Sequence, residues 1–512
     1  MEAGQFNIVS LFADASKRHP DRIAIIEKNH QITFAELAQE IDKTASYFQQ
    51  KGISKGDRVL VFVPMGINLY RIVLALFKIG ATAVFLDEWV SFKRLNLCCK
   101  IAECTAFIGI RKARILTFFS SEIRKIPIKL GVAYKDYGIP AKNISTNVND
   151  TALITFTTGS SGTPKAAKRT HGFLKAQFSV LEKKIDPEIS KVDMPVLPIV
   201  LMINLGKGIT SVIADFKASK PESLKAEKVI AQIEKHQVAS IASSPYFIFK
   251  LAQYAIEHNV PIQNIKRIFT GGAAVFPEEA KTYVQAFPNS TSKILYGSTE
   301  AEPISSVNAL DLATRNIAKD KGLYVGSIDT AAKVLIIPIK EENIKIQNSD
   351  ELRTNSLKDQ KIGEIIVSGS HVLKEYVNNP EAMERQKIWV EDVCWHRTGD
   401  SGFKIGNELY LTGPCNAMIE NESGYISPFL YEQILTSIDG VNAGTILSIK
   451  DKNYAVIEAQ SKGDIEKVTP EIMAIEGIDE VYLVKKIPRD PRHFSKIEYK
   501  KLKNMLASKL NL

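Results

Sequence analysis

Residues 153–165 read Leu-Ile-Thr-Phe-Thr-Thr-Gly-Ser-Ser-Gly-Thr-Pro-Lys. An apolar, β-branched run from Leu153 to Phe156 stops abruptly in hydroxyls and glycines and ends on a cation, Lys165. Such a run reads as a buried strand. The stretch after it, from Thr157, can turn backbone N–H groups, the hydroxyls of Thr158, Ser160, Ser161 and Thr163, and one ammonium toward a polyanion. Gly159 and Gly162 let the backbone approach phosphate closely, and successive N–H groups make an anion-binding concavity. The chemistry implied is a grip on nucleotide phosphates. Ordinary P-loop NTPases are excluded, because their loop needs Gly-Lys followed by Ser or Thr. Here Pro164 precedes Lys165 and Ala166 follows it.

A grip of this kind must be held by strands whose ends converge. From Ile32 to Val90 helical and strand patterns alternate: a helix over Glu36–Gln50, a strand over Arg58–Val63, an amphipathic helix over Leu69–Ile79 closed by Gly80, and a strand over Ala81–Leu86. The pattern recurs as helix Val229–His236, strand Ser240–Ser243, helix Tyr246–His258 and strand Ile265–Phe269. Alternation of this kind predicts layered, parallel α/β structure. Three strand ends run into polar or glycine-rich turns: Thr157–Thr163, Gly271-Gly272 and Gly297–Glu300. Ligands of open α/β sheets bind beyond the carboxyl ends of strands, so the three turns predict one shared site. After Gly413 the character changes to short αβ units, with strands at Thr445–Ile449, Tyr454–Ala459 and Glu480–Val484. The expected division is a large α/β domain over 1–413, a junction over 414–422 with Asn416–Glu422 as hinge, and a small α+β domain over 423–512.

The 512 residues exceed what a single hydrophobic core usually serves. Met1 to Arg22 carries charges throughout and no apolar signal-peptide core. The most apolar window, Val196–Ile213, is interrupted by Pro198, Asn204 and Lys207, which makes it too short to span a membrane and predicts a buried strand and turn. Cys98, Cys99, Cys104, Cys394 and Cys415 match no zinc spacing, and their odd number argues for buried thiols in a reducing compartment, the cytoplasm. Part of the net charge of +9 lies near the end, at Lys485, Lys486, Arg489, Arg492, Lys496, Lys500, Lys501, Lys503 and Lys509. No groove-reading motif accompanies it, so nucleic acid is not expected; a solvated face, or contact with an anionic substrate or acidic carrier, is.

Taken in order, the turns closely resemble the adenylate-forming, acyl-activating enzymes: acyl-CoA synthetases, luciferases and peptide-synthetase adenylation domains. The resemblance runs from Ile32-Thr33-Phe34-Ala35-Glu36-Leu37 to the Lys496 region. Thr157–Lys165 is similar to that family's phosphate loop, Gly271-Gly272-Ala273 to the turn bordering the adenine and acyl pockets, and Tyr296-Gly297-Ser298-Thr299-Glu300 and His396-Arg397-Thr398-Gly399-Asp400 to its second and third signatures. Gly424–Glu432 resembles the start of its mobile C-terminal lid, and Pro488–Ile497 its catalytic-lysine segment. The resemblance implies attack of a carboxylate on the α-phosphate of ATP, giving an acyl-adenylate and pyrophosphate. Thr158 to Lys165 would then hold the β and γ phosphates, with Thr157 also at the nucleotide and Thr158 counted among the catalytic residues. Glu300 would bind Mg²⁺, a hard cation suited to carboxylate and phosphate oxygens. Asp400 would accept both ribose hydroxyls, Tyr296 would stack on adenine, and Lys496 would bridge the attacking carboxylate and the α-phosphate. Competing readings make Glu300 a helix first-turn carboxylate, Asp400 a plain turn residue, Tyr296 a core residue and Lys496 a solvated lysine. His171 either lines the acyl pocket or simply starts a helix.

The family's junction motif Gly-Arg-x-x-Asp is here Gly413-Pro414-Cys415-Asn416-Ala417, so a nucleotide contact and the usual hinge Asp are missing. A nucleotide-binding protein of weak catalysis is the reading this leaves open. Val192–Ile213 and Ile487–Ile497 resemble the olefin β-lactone synthetase branch, in which a 2-alkyl-3-hydroxy acid is activated and closed by its own hydroxyl without a thiol. The general reading is a fatty or other apolar acid transferred to CoA or to the phosphopantetheine of an acyl carrier protein. Val196–Leu205 and Pro245–Leu251 would supply the apolar pocket, and the lack of an Asp within Val196–Leu205 disfavours an amino acid.

Overall fold

The helix Phe34–Gln50 begins where local sequence says it must. Thr33 accepts from the Glu36 backbone N–H at 3.2 Å, and Glu36 accepts from the Thr33 N–H at 2.8 Å. This reciprocal pair satisfies two backbone donors that a helix start leaves unpartnered. Its apolar face (Leu37, Ile41, Ala45, Phe48) is buried against the helix Ile67–Lys78. That second helix was expected to be amphipathic. It is instead buried on every side from Leu69 to Phe77, because it lies between layers. A computed structural model gives residues 4–86, 91–142, 144–158, 164–184, 191–217, 220–422, 424–459, 462–490 and 496–510.

Among the described residues two sheets organise the large part of the chain. One has six strands in the order Ile128–Leu130, Ala106–Gly109, Arg58–Phe62, Thr82–Phe85, Thr151–Thr158, Pro164–Thr170. All neighbours are parallel except the last pair. The other has fourteen strands. Its parallel half runs Ile23–Glu27, Thr210–Val212, Val192–Pro195, Ser240–Ser243, Arg267–Gly271, Thr291–Ser298, and its other half is antiparallel. Strands such as Ala106–Gly109 and Ser240–Ser243 are buried throughout, as parallel strands covered on both faces must be. The alternation expected from the sequence is present, with element ends within about three residues.

The window Val196–Ile213 departs from expectation. Pro198–Lys207 is a helix, closed by Gly208 at φ +76°, and only Thr210–Val212 is a strand. Pro198 occupies the first helical turn, where its missing N–H costs nothing. Asn204, read from sequence as an interruption, is satisfied inside: its amide donates to Asp193 Oδ2 at 2.7 Å and to Ser211 Oγ at 3.1 Å.

The last hundred residues have their own sheet, Val441–Ile449, Lys452–Ala459 and Glu480–Leu483. Helices Pro428–Thr436 and Tyr499–Lys509 pack on it, and two apolar clusters drawn from residues 417–510 form its interior. The architecture is a large α/β body with a smaller C-terminal one. No helix among the described residues is long and apolar enough to cross a membrane. Cys98, Cys99 and Cys394 are buried free thiols, while Cys104 and Cys415 are half-buried.

Candidate active site

The expected turns meet at one cavity of ≈ 1260 Å³. Thr157, Lys165, Gly271, Gly272, Gly297, Ser298, Thr299, Glu300, Thr398, Gly399 and Lys496 all line it. They arrive from several separate elements. Thr157 ends the strand Thr151–Thr158 and Lys165 begins the antiparallel return strand Pro164–Thr170. The phosphate-loop motif thus joins two paired strands. Gly159, Ser160, Ser161, Gly162 and Thr163 lie outside the described residues, as does the side chain of Thr158. Gly271 closes the strand Arg267–Gly271, where an added Cβ would stand 2.5 Å from the Leu295 carbonyl of the next strand. Gly272 turns the chain away at φ +91°, a conformation that side chains resist.

Glu300 sits in the turn between Thr291–Ser298 and Ala301–Asn308, a hairpin and not a helix start. It is buried, yet its surroundings favour the charged form. The Tyr376 hydroxyl donates to Oε1 at 2.9 Å, and Thr157 Oγ1 lies at the outer limit of 3.5 Å. Burial alone would raise this carboxyl. Lys387, Lys165 and the Tyr376 hydrogen bond oppose burial, and the carboxyl is held below its usual value. Lys165 and Lys387 are themselves buried, with their ammonium groups 6.0 Å and 5.3 Å from the centre of the Tyr376 ring. Burial lowers Lys165 and pushes Lys387 down to about 8, with Cys394 and Glu300 opposing the shift. Lys387 Nζ also donates to the Leu373 carbonyl. His396 is fully enclosed and pushed to about 3 by burial and by Lys387, so its ring is neutral at ordinary pH.

The third motif splits between structure and site. Arg397 faces inward and pairs with Glu364, at 2.9 Å and 2.6 Å, while donating to the Lys340 and Glu342 carbonyls. It braces the strand Val393–Ile405 and, with His396, also lines the cavity. Asp400 lies in that strand, not in a turn. Its Oδ2 accepts from the Tyr296 hydroxyl at 2.9 Å, and burial raises its carboxyl against the opposing pull of Lys496 and Tyr296. Tyr296 is therefore tied to Asp400, and neither of the two, nor Ala273, is among the residues that line the cavity. The strand partner of Asp400 is Pro414, which lines the cavity with Cys415 and Asn416. The residue replacing the expected junction Arg thus lies directly opposite Asp400. Asn416 is in the short turn Cys415–Ala417, followed by the hairpin Ile419–Asn421 and Gly424–Ile426.

Lys496 reaches the cavity from the C-terminal body. Its backbone N–H donates to Asp490 Oδ1 and its carbonyl accepts from the Asp490 N–H, both at 2.9 Å, so Asp490 braces the segment. The far walls are apolar: Val196, Leu197, Pro198, Ile199 and Met202 from one region, Tyr246 and Phe247 from another. Leu205 and Leu251 of the expected pocket belong instead to the core. His171 starts the helix His171–Glu182, accepts from the Ile8 N–H at 3.2 Å, and meets Phe77 edge to face. It does not line the cavity, and burial pushes it to about 4.

The sequence model of the family described as AMP-binding enzyme matches residues 12–377. The chain is an AMP-binding enzyme. Olefin beta-lactone synthetase of Stenotrophomonas maltophilia is 25% identical over 478 residues, covering 86% of this chain and 85% of that protein. The 2-succinylbenzoate–CoA ligase of Enterococcus faecalis is 22% identical over 452 residues, covering 86% and 85%. Among solved structures, the Bacillus subtilis O-succinylbenzoate coenzyme A synthetase with AMP aligns at TM-score 0.77 and 20% identity over 98% of both chains. The amide bond synthetase of Marinactinospora thermotolerans aligns at 0.80 and 17%, covering 97% and 99%. This AMP-binding enzyme accordingly has the fold of the adenylate-forming synthetases and belongs with their ligases. Its Tyr376 and Lys387 were missed in the sequence. The one signal was a lysine at the head of the strand Lys387–Val390, whose next residue is buried.

Proposed function

We propose that the chain activates an apolar carboxylic acid with ATP, forming an acyl-adenylate and releasing pyrophosphate, and then transfers the acyl group to CoA or a carrier-bound phosphopantetheine thiol. The observation that carries this is one cavity with a charged end, Glu300 with Lys165, and an apolar end, with Lys496 between bodies at its side. In the first step a carboxylate oxygen of the acid bonds to the α-phosphorus while the bond to the β-phosphate oxygen breaks. Both reactants are anions, so positive groups fixed beforehand lower the barrier. Lys165 would face the departing pyrophosphate and Lys496 the α-phosphate, with Asp400 on the ribose. Among the described residues no three His, Cys, Asp or Glu side chains converge to hold a metal by themselves. A single ionised carboxylate, Glu300, fits a Mg²⁺ completed by phosphate oxygens, which would neutralise phosphate charge when bound. In the second step the thiol sulfur attacks the acyl carbonyl and AMP leaves. The bodies divide as 1–413, hinge 414–422 and lid 423–512, and rotation of the lid would separate the steps.

A second reading, lactone closure, is favoured by the similarity to olefin beta-lactone synthetase and by the shape of the cavity. The cavity touches both faces of the six-stranded sheet: Val61, Val63 and Phe85 adjoin one apolar cluster, and Phe62, Leu86 and Phe156 the other. Two apolar walls suit an acid carrying two chains. Exchange of labelled pyrophosphate into ATP, driven by a panel of apolar acids, tests the first step. No exchange with any acid while ATP still binds would show a nucleotide-binding protein without the chemistry. Product mass after feeding a 3-hydroxy acid without CoA separates the two fates: loss of water with AMP release supports the lactone, and AMP release strictly dependent on CoA or carrier supports the thioester.

A further inference from the structure

Residues 91–130 carry nine Lys and Arg against two Glu, a net +7 in a chain whose total is +9. Asp87 and Glu88, just before them, lie outside the described residues. The same segment holds five of the eleven large apolar side chains exposed among the described residues: Phe92, Leu97, Ile115, Phe118 and Phe119. Phe118 is 76% exposed and Phe119 67%. The segment is nonetheless folded. Ala113, Ile123 and Ile126 anchor its short helices in the core, Ser120 Oγ donates to Asn96 Oδ1 at 2.6 Å, and the Phe92 and Phe119 rings meet at 6.1 Å. The outward rings are therefore held outward, and Lys93, Lys100, Arg111, Lys112 and Arg124 stand exposed around them.

We propose that this face docks on an anionic lipid surface, with the phenylalanines entering the headgroup boundary and the cations meeting lipid phosphates. Apolar side chains ringed by Lys and Arg match a bilayer interface in both its parts. A second observation links the face to the site. Ile110, Lys112, Ala113 and Leu116, on the same segment, line the catalytic cavity. An apolar acid dissolved in the membrane could enter there without crossing water; this part rests on the proposed apolar substrate, whereas docking does not. A symmetric pair of chains would bring two faces of net +7 together, and so is disfavoured. Stacking on nucleic-acid bases would use the aromatic rings but leave Ile115 and Leu97 unmatched.

The test is flotation of the full chain with vesicles of phosphatidylcholine alone and with about a third phosphatidylglycerol. We expect retention only on the anionic vesicles, lost as salt rises. Phe118→Ser/Phe119→Ser and Lys93→Glu/Lys100→Glu should each weaken it by about tenfold or more, with pyrophosphate exchange on a short, water-soluble acid unchanged. Equal retention on both vesicle types, or variants that float like the parent, overturns the proposal. So does a concentration-dependent dimer abolished by the phenylalanine variant without vesicle binding, or binding of a single-stranded oligonucleotide in place of vesicles. Failure of exchange with every acid would reject the enzymatic reading while leaving flotation interpretable.

Discussion

Glu300 in the cavity and Glu432 in the C-terminal body are both 7% exposed, yet their carboxyl groups shift in opposite directions. Glu432 accepts from Thr445 Oγ1 at 3.0 Å and from the Tyr499 hydroxyl, and burial pushes it up to about 7. Glu300 has a tyrosine too, but it also has Lys165 and Lys387 near by, and it stays ionised. Burial alone therefore does not decide what a carboxylate does; the company of buried cations does. Keeping two ammonium groups and a carboxylate beside a cavity is expensive in a small apolar volume. Glu432, by contrast, ties Pro428–Thr436 to Val441–Ile449 and Tyr499–Lys509 through hydrogen bonds, a role it can fill protonated.

The largest effects should come from the charged region. Lys496→Ala should lower acid-dependent pyrophosphate exchange by about 10²–10³ with ATP binding nearly intact, the scale of losing one transition-state contact; unchanged exchange would reject its role. Glu300→Gln should lower exchange by about a hundredfold. It should also cost about 3 kcal/mol of stability by leaving buried ammonium groups uncompensated, read by denaturant unfolding. A stable, active variant would break the contrast with Glu432. Lys387→Met sharpens it. Exchange should fall about tenfold and its acid limb should move to higher pH, because Glu300 loses a neighbouring cation. Stability should hold or rise, since a buried ammonium is gone; lost stability with intact exchange would make Lys387 purely structural.

Glu432→Gln should have the smallest effect on activity and show as a pH dependence of stability. A carboxyl raised to about 7 when folded binds a proton that the unfolded chain, near the ordinary glutamate value of 4.5, has released. Its contribution is complete below pH 4.5 and disappears as pH rises to about 7, a change of roughly 3 kcal/mol. The Gln variant should flatten the unfolding curve across that window. Glu300, held low, acts the other way: its contribution is present above the unfolded value and is lost as pH falls through the folded one. A variant at 432 that leaves the slope between pH 5 and 7 untouched would remove Glu432 from this account.

Much of the layering was legible because its signals are local. Thr33 and Glu36 cap a helix within one turn, and the apolar runs at Ser240 and Arg58 have strand length and composition. The helix Pro198–Lys207 was misread because an all-apolar segment has no period to separate helix from strand. Lys387 and Tyr376 were invisible for a related reason: nothing near them in sequence says that the chain folds back to place them beside Glu300, 76 positions or more away.

The sequence by itself determined the chemistry on offer: a hydroxyl-rich, glycine-rich turn ending in Lys165, the carboxylates Glu300 and Asp400, and a lysine at 496, in the order of one family. It also decided that Pro414 replaces an arginine. Only the tertiary structure decided that Pro414 stands opposite Asp400, that His171 is a core residue, and that Glu300 is flanked by a second buried lysine. The reason is physical. Residue type sets which charges and hydrogen bonds are possible, whereas burial and through-space neighbours set which are realised, and those depend on contacts between segments far apart in the chain.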